Sequence, residues 1–372
     1  MDKNQIRVAL LCSGLGRIKR GFESFTEELF LVLKDYFKIT LFKGGGQAKE
    51  SEVVIRCIKR EGVIRFVPFS LRTRLFLEAY TFVLFFLPYL FREKFQVIIV
   101  SEQASANFLS LIKKLFRLSF SVIICNGGPV PARELSTIDF IIQVTEPEYK
   151  KARDYGIAQE KMALLPYGIF VDRFNDTEGK KLLRQHYHIP EKAFVLLSVG
   201  QINKFHKRMD FLIRVFSKLN PEEFFLLIVG NVDLETEEIK MMARSCLRNN
   251  YQFFEDVDYG LISQFYGLSD CLIHCSLIEG FGRVFLEAMS ARLPIIAHAM
   301  DVSRWVINNE DCLVDMQNED EVLGRIKRIH EDRAFAQRIV EKNFENVTRR
   351  FEWSVIKDQY LKVINHCASQ SL

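Results

Sequence analysis

The chain has 372 residues, of which 48% are hydrophobic and 26% charged, and its formal net charge is +4. A chain of this length exceeds what one hydrophobic core normally organises, so we expect two domains. The composition excludes a chain that is disordered, collagen-like or of low complexity as a whole. The basic surplus lies in the first 172 residues, where it suits an anionic surface or acceptor, or forms a solvated basic face. We expect no nucleic acid partner.

The cysteines and the N-terminus indicate the cellular compartment. Eight cysteines are scattered along the chain, and several lie inside apolar runs such as residues 122–125, which is typical of buried free thiols in a reducing compartment. The N-terminus enters a strand-like run without a signal peptide. The most apolar stretch, residues 79–91, is shorter than the roughly 20 residues that span a bilayer. These features predict a cytoplasmic protein, with a peripheral position at the inner membrane face as the alternative.

Short apolar runs alternate with longer stretches of helical periodicity along the first half, which is the pattern of a doubly wound α/β domain. The predicted strands of this half are residues 7–11, 39–42, 97–100, 122–125 and 140–144. Helices are predicted at residues 22–33 and 104–115.

The second half repeats this alternation, with predicted strands at residues 194–199, 225–229, 272–275 and 294–297. Between the halves, the segment from Pro166 to Phe174 and the polar residues 175–181 predict a linker. The sequence therefore predicts an α/β architecture with domains at 1–172 and 173–350, followed by a C-terminal segment, 351–372. Parallel sheets bind ligands beyond the carboxyl ends of their strands, so we expect the functional site there.

The strongest local signal is the stretch from Glu279 to Glu287, which follows the strand ending near Cys275. Gly280 and Gly282 allow a tight turn, and the helix that begins near Gly282 presents unpaired amide groups. Such a helix N-terminus binds phosphate or sugar oxygens, and a glutamate one turn inside can point back to the same ligand. The alternative is a solvated Glu287 and a Glu279 that only favours the helix dipole.

This stretch resembles the signature of the retaining glycosyltransferases of family 4, also called glycosyltransferases group 1, in which two glutamates flank an internal Gly-Phe-Gly. The resemblance implies the GT-B fold, two Rossmann-like doubly wound domains that face a central cleft. It also implies that Glu279 is catalytic, in contact with the donor sugar or its phosphate, and that Glu287 binds the ribose hydroxyls of the donor. The donor-binding residues that it implies between them are Gly280, Phe281, Gly282, Arg283 and Val284.

The loop from Gly200 to Arg208 resembles a second element of the family, in which an arginine and a lysine hold the donor diphosphate. Lys207 occupies the position of the lysine and is the second predicted catalytic residue. Gln201, a predicted donor-binding residue, replaces the arginine; because a neutral amide supplies no positive charge, Arg208 or Lys204 is expected to compensate. Lys207 could also be a solvated lysine, but a cation at the positive end of a helix favours a nearby anion.

The glycine-rich loop of the first domain resembles the family's loop near the donor phosphate, with Gly16 and Gly21 as the implied donor-binding residues. Its spacing differs from the dinucleotide-binding fingerprint, which disfavours a dehydrogenase. Many relatives have a histidine after a later strand of this domain, where this chain has Asn126. Asn126 is a candidate acceptor-binding residue that cannot act as a base, or is simply part of a turn.

The segment Asp256-Val257-Asp258 has the Asp-x-Asp pattern of a metal site in the other glycosyltransferase fold. Relatives with the GT-B fold use this loop to contact the nucleotide base. We therefore predict that Val257 touches the base and that the acids cap the helix that follows. Residues 271–275 contain two cysteines and a histidine but lack the paired spacing of a structural zinc site. We expect no metal and no cofactor.

The resemblance implies a metal-independent, retaining, hexosyltransferase-type enzyme. It would move a sugar from a nucleotide diphosphate, its co-substrate, to a hydroxyl of a saccharide or lipid-linked saccharide. Assembly of cell-surface polysaccharide or glycolipid is the expected setting, by analogy with the family. The segment 351–372 resembles the family's C-terminal helix that crosses back to the first domain. The alternative function is a catalytically silent, glycosyltransferase-like binding subunit of a larger complex, because Gln201 and Asn126 replace an arginine and a histidine.

Residues 72–94 hold an aromatic and aliphatic run with basic residues at both ends. This composition fits an interfacial helix on the inner membrane leaflet, where basic side chains meet anionic lipid. A helix buried in the first domain fits the same composition and is the favoured interpretation, because residues 80–90 are apolar around most of the helix. Peripheral membrane contact through the first domain is the second possibility.

Overall fold

The computed structural model describes residues 6–18, 20–62, 64, 67–128, 130–175 and 179–370. The chain divides into two compact units. The first comprises Met1–Gly168 with Ile356–Leu372, and the second is Ile169–Val355. The second unit thus begins shortly before Asp172, where the first domain was expected to end. The segment that returns to the first unit starts a few residues after 351.

The first unit is built on a parallel sheet. Its strands are β1 (Arg7–Cys12), β2 (Lys38–Lys43), β3 (Glu52–Val54), β4 (Val97–Val100), β5 (Ser121–Asn126), β6 (Phe140–Gln143) and β7 (Met162–Leu164). Within the described residues these seven strands lie in the order β3-β2-β1-β4-β5-β6-β7, and every pairing is parallel. Its helices are α1 (Gly21–Leu33), α2 (Leu71–Glu93), α3 (Gln103–Phe116) and α4 (Glu146–Asp154), with short 3-10 turns at Ala132–Glu134 and Gln159–Lys161.

The centre of this sheet forms the core of the first unit. Every residue of β4 and of β5 is buried, as expected for a parallel sheet covered on both faces by helices. The register places Leu11 of β1 between Phe42 of β2 and Val100 of β4. Apolar side chains of α2 and α3 pack into the same core.

Helix α2 buries one face and exposes the other. The residues of the buried face are at most 5% exposed and recur with helical periodicity, with one adjacent pair: Ala79, Phe82, Val83, Phe86 and Leu90. Between Arg72 and Glu93 the helix is long and apolar enough to cross a membrane, by length and composition alone. The expectation that this apolar run is too short to span a bilayer is therefore wrong. In the structure the buried face packs into the first unit.

The second unit repeats the parallel architecture. Its strands are β8 (Phe194–Val199), β9 (Phe224–Gly230), β10 (Tyr251–Glu255), β11 (Cys271–His274), β12 (Ile295–His298) and β13 (Leu313–Val314). Within the described residues they form a six-stranded sheet in the order β10-β9-β8-β11-β12-β13. Its helices are α5 (Lys180–His186), α6 (Met209–Phe216), α7 (Thr236–Cys246), α8 (Ile262–Leu268), α9 (Arg283–Ser290), α10 (Asp301–Ile307), α11 (Glu319–Glu331) and α12 (Arg333–Arg350), with 3-10 turns at Val171–Phe174, Tyr259–Leu261 and Glu310–Cys312. Two doubly wound parallel-sheet units confirm the predicted fold class.

The last helix, α13 (Trp353–Ser369), starts in the second unit, and from Ile356 it belongs to the first. Its side chains are integral to the first unit, because Tyr360 and Ile364 are fully buried. Tyr360 Oη donates a hydrogen bond of 2.8 Å to the carbonyl of Pro166. The carbonyl of Cys367 accepts one of 2.8 Å from Ser121 Oγ, at the start of β5.

Candidate active site

The loop between β11 and α9 carries the first predicted catalytic residue. β11 ends at His274 and α9 begins at Arg283, so the loop lies at the carboxyl end of a strand that pairs with β8 and β12. Gly282, directly before α9, has a φ of +81°, and a Cβ there would lie 2.4 Å from the Phe285 ring. Glycine alone satisfies both conditions. The first amide groups of α9 follow this turn and have no partner within the helix itself.

Glu279, on this loop, contacts both Lys207 and His274. Its Oε1 atom accepts a hydrogen bond from Lys207 Nζ and lies 2.7 Å from His274 Nε2. The three side chains are at most 15% exposed. Lys207 comes from the loop after β8, so two neighbouring strand ends meet at one carboxylate. The structure thus brings together the two residues predicted to be catalytic.

Gly200 and Asn203 shape the loop after β8. A Cβ on Gly200 would lie 3.0 Å from Lys207 Cε, so the lysine side chain packs directly over the glycine. Asn203 Oδ1 accepts hydrogen bonds from the amides of His206 at 3.1 Å and of Lys207 at 2.9 Å. The side chain of Asn203 therefore fixes the backbone from which Lys207 reaches Glu279.

Glu279 is ionised in this setting. Burial acts to raise the pKa of its carboxyl, but Lys207 and the hydrogen bond from His274 outweigh burial and hold the pKa well below its ordinary range. Burial lowers the pKa of His274, and the charge of Lys207 lowers it further. His274 is therefore neutral near pH 7, and its Nε2 carries the proton that it donates to Glu279. The imidazole orients the carboxylate without adding a second positive charge.

Glu287 is buried one turn inside α9, where it accepts hydrogen bonds from two tyrosines. Tyr266 Oη lies 2.7 Å from Glu287 Oε2, and Tyr259 Oη lies 3.2 Å from Oε1. Arg283 Nη2 in turn donates to Tyr259 Oη at 3.0 Å. Burial and the neighbouring carboxylate raise the pKa of Tyr266, so this phenol stays protonated and acts as a donor. Glu287 is 4% exposed, which excludes the interpretation of a solvated helix residue.

The side chain of Gln201 is exposed at the start of the loop after β8. The two cations expected to compensate for it are engaged elsewhere. Arg208 Nη1 donates to the carbonyls of Met316 at 2.7 Å and of Cys275 at 3.4 Å, and its guanidinium lies 4.3 Å from a phenylalanine ring of α6. Lys204 pairs with a glutamate of α7. Arg208 therefore ties three loops of the second unit together.

The Asp256–Asp258 segment follows β10. Asp258 caps the 3-10 turn Tyr259–Leu261 by accepting a hydrogen bond of 2.8 Å from the second amide of the turn, which confirms its predicted capping role. Val257, the residue predicted to touch the base, is half-buried. No cluster of three His, Cys, Asp or Glu residues suited to a metal ion occurs in the part of the chain that the structure describes.

In the first unit, Gly16 and Gly21 follow the carboxyl end of β1. Gly16 has a φ of +82°, and a Cβ there would lie 2.2 Å from the carbonyl oxygen of Gly45. The β1 loop and the loop after β2 therefore touch backbone to backbone at this point, which leaves no room for a side chain. Gly21 is the first residue of α1.

Asn126, the candidate acceptor-binding residue, is the last residue of β5 and only 2% exposed. Its Nδ2 donates a hydrogen bond of 2.8 Å to Gln143 Oε1 on β6. Asn126 therefore belongs to the sheet and not to a turn, and its amide is used to join two strands.

Sequence reasoning missed a buried charge network in the first unit. Ser13 Oγ, after β1, lies 2.8 Å from Glu78 Oε1 and 2.5 Å from Glu102 Oε1. Arg17 and Arg60 both pair with Glu78, at 2.9 Å and 2.8 Å. No local pattern marks this network, since its members come from separate loops and from α2. The partners of Glu279 and Glu287, His274 and the two tyrosines, were missed for the same reason.

Solved structures define the class of fold. The chain superposes on sucrose-phosphate synthase from Thermosynechococcus elongatus with a TM-score of 0.81 and 19% identity, over 97% of this chain and 99% of that one. HepE from Anabaena, in complex with UDP and glucose, gives a TM-score of 0.75 and 15% identity over 97% and 100% of the two chains. The pair of parallel-sheet Rossmann-like domains is the GT-B fold, as predicted.

Sequence comparison identifies the domain in the second unit. Residues 179–346 match the family model of glycosyl transferases group 1. The chain is 28% identical over 187 residues to the lipopolysaccharide core biosynthesis glycosyltransferase LpsD of Rhizobium meliloti, a match that covers 49% of this chain and 52% of LpsD. The chain spans about half the length of the curated relatives it matches. The family match and the fold together support a glycosyltransferase of the GT-B class.

Proposed function

We propose that the chain is a retaining, metal-independent glycosyltransferase of the cytoplasm that moves a sugar from a nucleotide diphosphate to an acceptor hydroxyl. The convergence of Lys207 and His274 on ionised Glu279, beside the start of α9, carries this proposal. The donor is both a sugar and a diphosphate. A buried cation, an oriented carboxylate and helix amides at the ends of parallel strands suit such a ligand.

In the proposed reaction, the bond between the anomeric carbon and the diphosphate oxygen breaks. The acceptor oxygen forms its bond to that carbon on the same side, so the configuration is kept. Lys207 and the first amides of α9 stabilise the charge that grows on the departing diphosphate. Glu279, held by His274, accepts hydrogen bonds from the sugar hydroxyls and orients the reacting carbon. The leaving phosphate oxygen takes the proton of the acceptor, so no side chain acts as the base.

Glu287 is the proposed ribose ligand of the donor. A carboxylate accepts hydrogen bonds from hydroxyl groups such as those of a ribose, and the two tyrosines fix the position of Glu287. Val257 is proposed to touch the base. UDP, which is present in the HepE structure, is the first nucleotide to test.

We propose a saccharide or lipid-linked saccharide as the acceptor, in the assembly of cell-surface polysaccharide or glycolipid. The support is the likeness of about half of the chain to LpsD, a lipopolysaccharide core biosynthesis glycosyltransferase. Nucleotide binding and transfer are tested separately, because a silent binding subunit would keep the first and lack the second.

The test compares Lys207→Ala with Lys218→Ala, a matched change at an exposed lysine that pairs with Glu319. Titration calorimetry with UDP, GDP and ADP measures nucleotide affinity. We expect Lys207→Ala to weaken binding by roughly 10- to 100-fold, since a hydrogen bond to a charged group contributes about 1.5–3 kcal/mol. Lys218→Ala should bind as the wild type does.

Release of nucleotide from candidate nucleotide sugars, with and without a saccharide acceptor, then measures transfer. Failure of all three nucleotides to bind the folded wild type would refute the proposed donor site. Equal affinity in Lys207→Ala and the wild type would refute the role of Lys207. Binding without transfer to any acceptor would favour the silent subunit.

A further inference from the structure

Helices α2 and α3 of the first unit present a common apolar surface to solvent. Its six members are between 49% and 71% exposed: Leu84, Phe85, Phe91, Leu111, Leu115 and Phe116. We call this set the α2–α3 face. Exposed apolar residues scattered singly are ordinary on a protein surface, but a contiguous patch marks a site of interaction.

Aromatic contacts join α2 and α3 at the α2–α3 face. The ring centroids of Phe91 on α2 and Phe116 on α3 lie 5.8 Å apart. Phe108 on α3 contacts a tyrosine of α2, with centroids 4.9 Å apart. Leu111 and Leu115 follow Phe108 by three and seven residues, so they lie on the same side of α3. The opposite side of α2 is buried in the core, which fixes the helix under this surface.

Positive charges predominate at the border of the α2–α3 face, where Glu93 is the acid at the end of α2. Residues 79–92 and 103–117 contain no aspartate or glutamate. Arg92, Lys94, Lys114 and Arg117 are exposed near the C-terminal ends of the two helices. Arg92 lies 3.5 Å from Glu93, whereas the other three form no ion pair with any described residue. Their charges are available to an anionic partner.

We propose that the α2–α3 face docks the first unit on an anionic lipid surface. The apolar side chains would enter the boundary between head groups and acyl chains, while the four basic side chains contact lipid phosphates. A second copy of this chain fits less well, because a two-fold contact across the face would bring like charges towards each other. The proposal goes beyond sugar transfer and does not depend on it.

Co-sedimentation with vesicles tests the proposal on the full chain. Vesicles of phosphatidylcholine alone are compared with vesicles of phosphatidylcholine and phosphatidylglycerol, at low and high salt. We expect the chain to bind the mixed vesicles at low salt. Binding should be weaker at high salt and weaker to vesicles of phosphatidylcholine alone. Combining Phe85→Ser with Leu115→Ser, or Lys114→Gln with Arg117→Gln, should reduce the binding at least about tenfold. All four residues are exposed, so the fold should survive, which circular dichroism checks.

Matched controls on the second unit test whether vesicle binding depends on the α2–α3 face or on any exposed apolar or basic residue. Leu182→Ser with Met241→Ser removes two apolar residues that are 62% and 58% exposed. Lys192→Gln with Arg248→Gln makes the same change of net charge. Both controls should bind vesicles as the wild type does. The proposal fails if the wild type ignores anionic vesicles or if control and face variants lose binding equally. It also fails if light scattering finds a dimer that only the face variants dissociate, without vesicle binding.

Discussion

Ser13 lies between two glutamates, the buried Glu78 and the partly exposed Glu102, and has one hydroxyl proton to donate. Its Oγ is within hydrogen-bond distance of both Glu78 and Glu102, yet a hydroxyl donates only one hydrogen bond. Burial raises the pKa of Glu102. At Glu78, the contacts with Arg60 outweigh burial and lower the pKa to about 2. The two carboxyl groups are therefore shifted in opposite directions, and Glu78 is ionised beside Arg17 and Arg60.

This arrangement predicts different effects on thermal stability for two similar substitutions. We expect Glu102→Gln to shift Tm by less than about 2 °C, because the Glu102 side chain is 19% exposed, its ion pair with Arg60 is 3.8 Å long, and a glutamine can still hydrogen-bond Ser13. Glu78→Gln removes the buried carboxylate that Arg17 and Arg60 share and leaves them only the more exposed Glu61 and Glu102, so we expect a cost of about 3–5 kcal/mol and a fall in Tm on the order of 10 °C. Differential scanning calorimetry measures both. Equal losses would show that Glu102 contributes as much to the stability of this network as Glu78 does.

The ionised Glu78 also makes stability depend on pH. Its pKa is lower in the folded chain than in the unfolded chain, so its contribution is complete above the ordinary carboxyl pKa. The contribution is lost as the pH falls towards about 2. Between about pH 5 and pH 3, the Tm of the wild type should therefore fall more steeply than that of Glu78→Gln. Parallel curves for the two proteins would contradict the assignment of charge.

At the scale of elements, the turn before α9 depends on a residue without a side chain. In Gly282→Ala, the added Cβ would clash with the Phe285 ring, and the alanine would have to adopt the positive φ of the glycine. We expect a loss of about 1–3 kcal/mol in stability and weaker nucleotide binding, because the turn that places Glu279 must shift. Gly324→Ala, inside α11 with no atom within 4 Å of the new Cβ, should instead stabilise the protein by about 0.5–1 kcal/mol. Urea unfolding measures both changes. A neutral Gly282→Ala would mean that the loop adapts freely.

The elements differ in how well a sequence can predict them. Most strands are apolar runs of four or more residues, and these were predicted within one or two residues of their ends. β3, β7 and β13 have only two or three residues, too few to show a period. Helix α2 is apolar on both sides, so its composition cannot tell which side packs on the sheet.

The candidate site divides in the same way. Glu279 and Glu287 belong to one contiguous stretch, which a sequence displays directly. His274, Tyr259 and Tyr266 contact them from other elements, and only the folded chain reveals those contacts. Arg208 has the charge expected of a phosphate ligand, but its contacts are backbone carbonyls, which no sequence pattern encodes.

At the scale of the whole molecule, the first unit is completed by the end of the chain. Truncation after Val355 removes the buried Tyr360 and Ile364, together with the hydrogen bonds to Pro166 and Ser121. We expect hydrogen exchange to become fast across β5 and β6, while β8 and β9 in the second unit keep their protection. Asn365→Ala, a change at an exposed residue of the same helix, is the control and should alter neither region. Equal loss of protection in both units would contradict the expectation that the second unit stays folded without α13.

The order of the two units along the chain has a consequence for recombination. The second unit is a continuous stretch, inserted into a first unit that the gene encodes in two separate pieces. After a single crossover near codon 168, one parent would supply the start of the first unit and the other parent the second unit and the last helix. The packing around Tyr360 would then combine residues of both parents and be mismatched. An exchange with breakpoints near both 168 and 355 would transfer the second unit whole. Chimaeras made to graft a new second unit onto this first unit need both junctions.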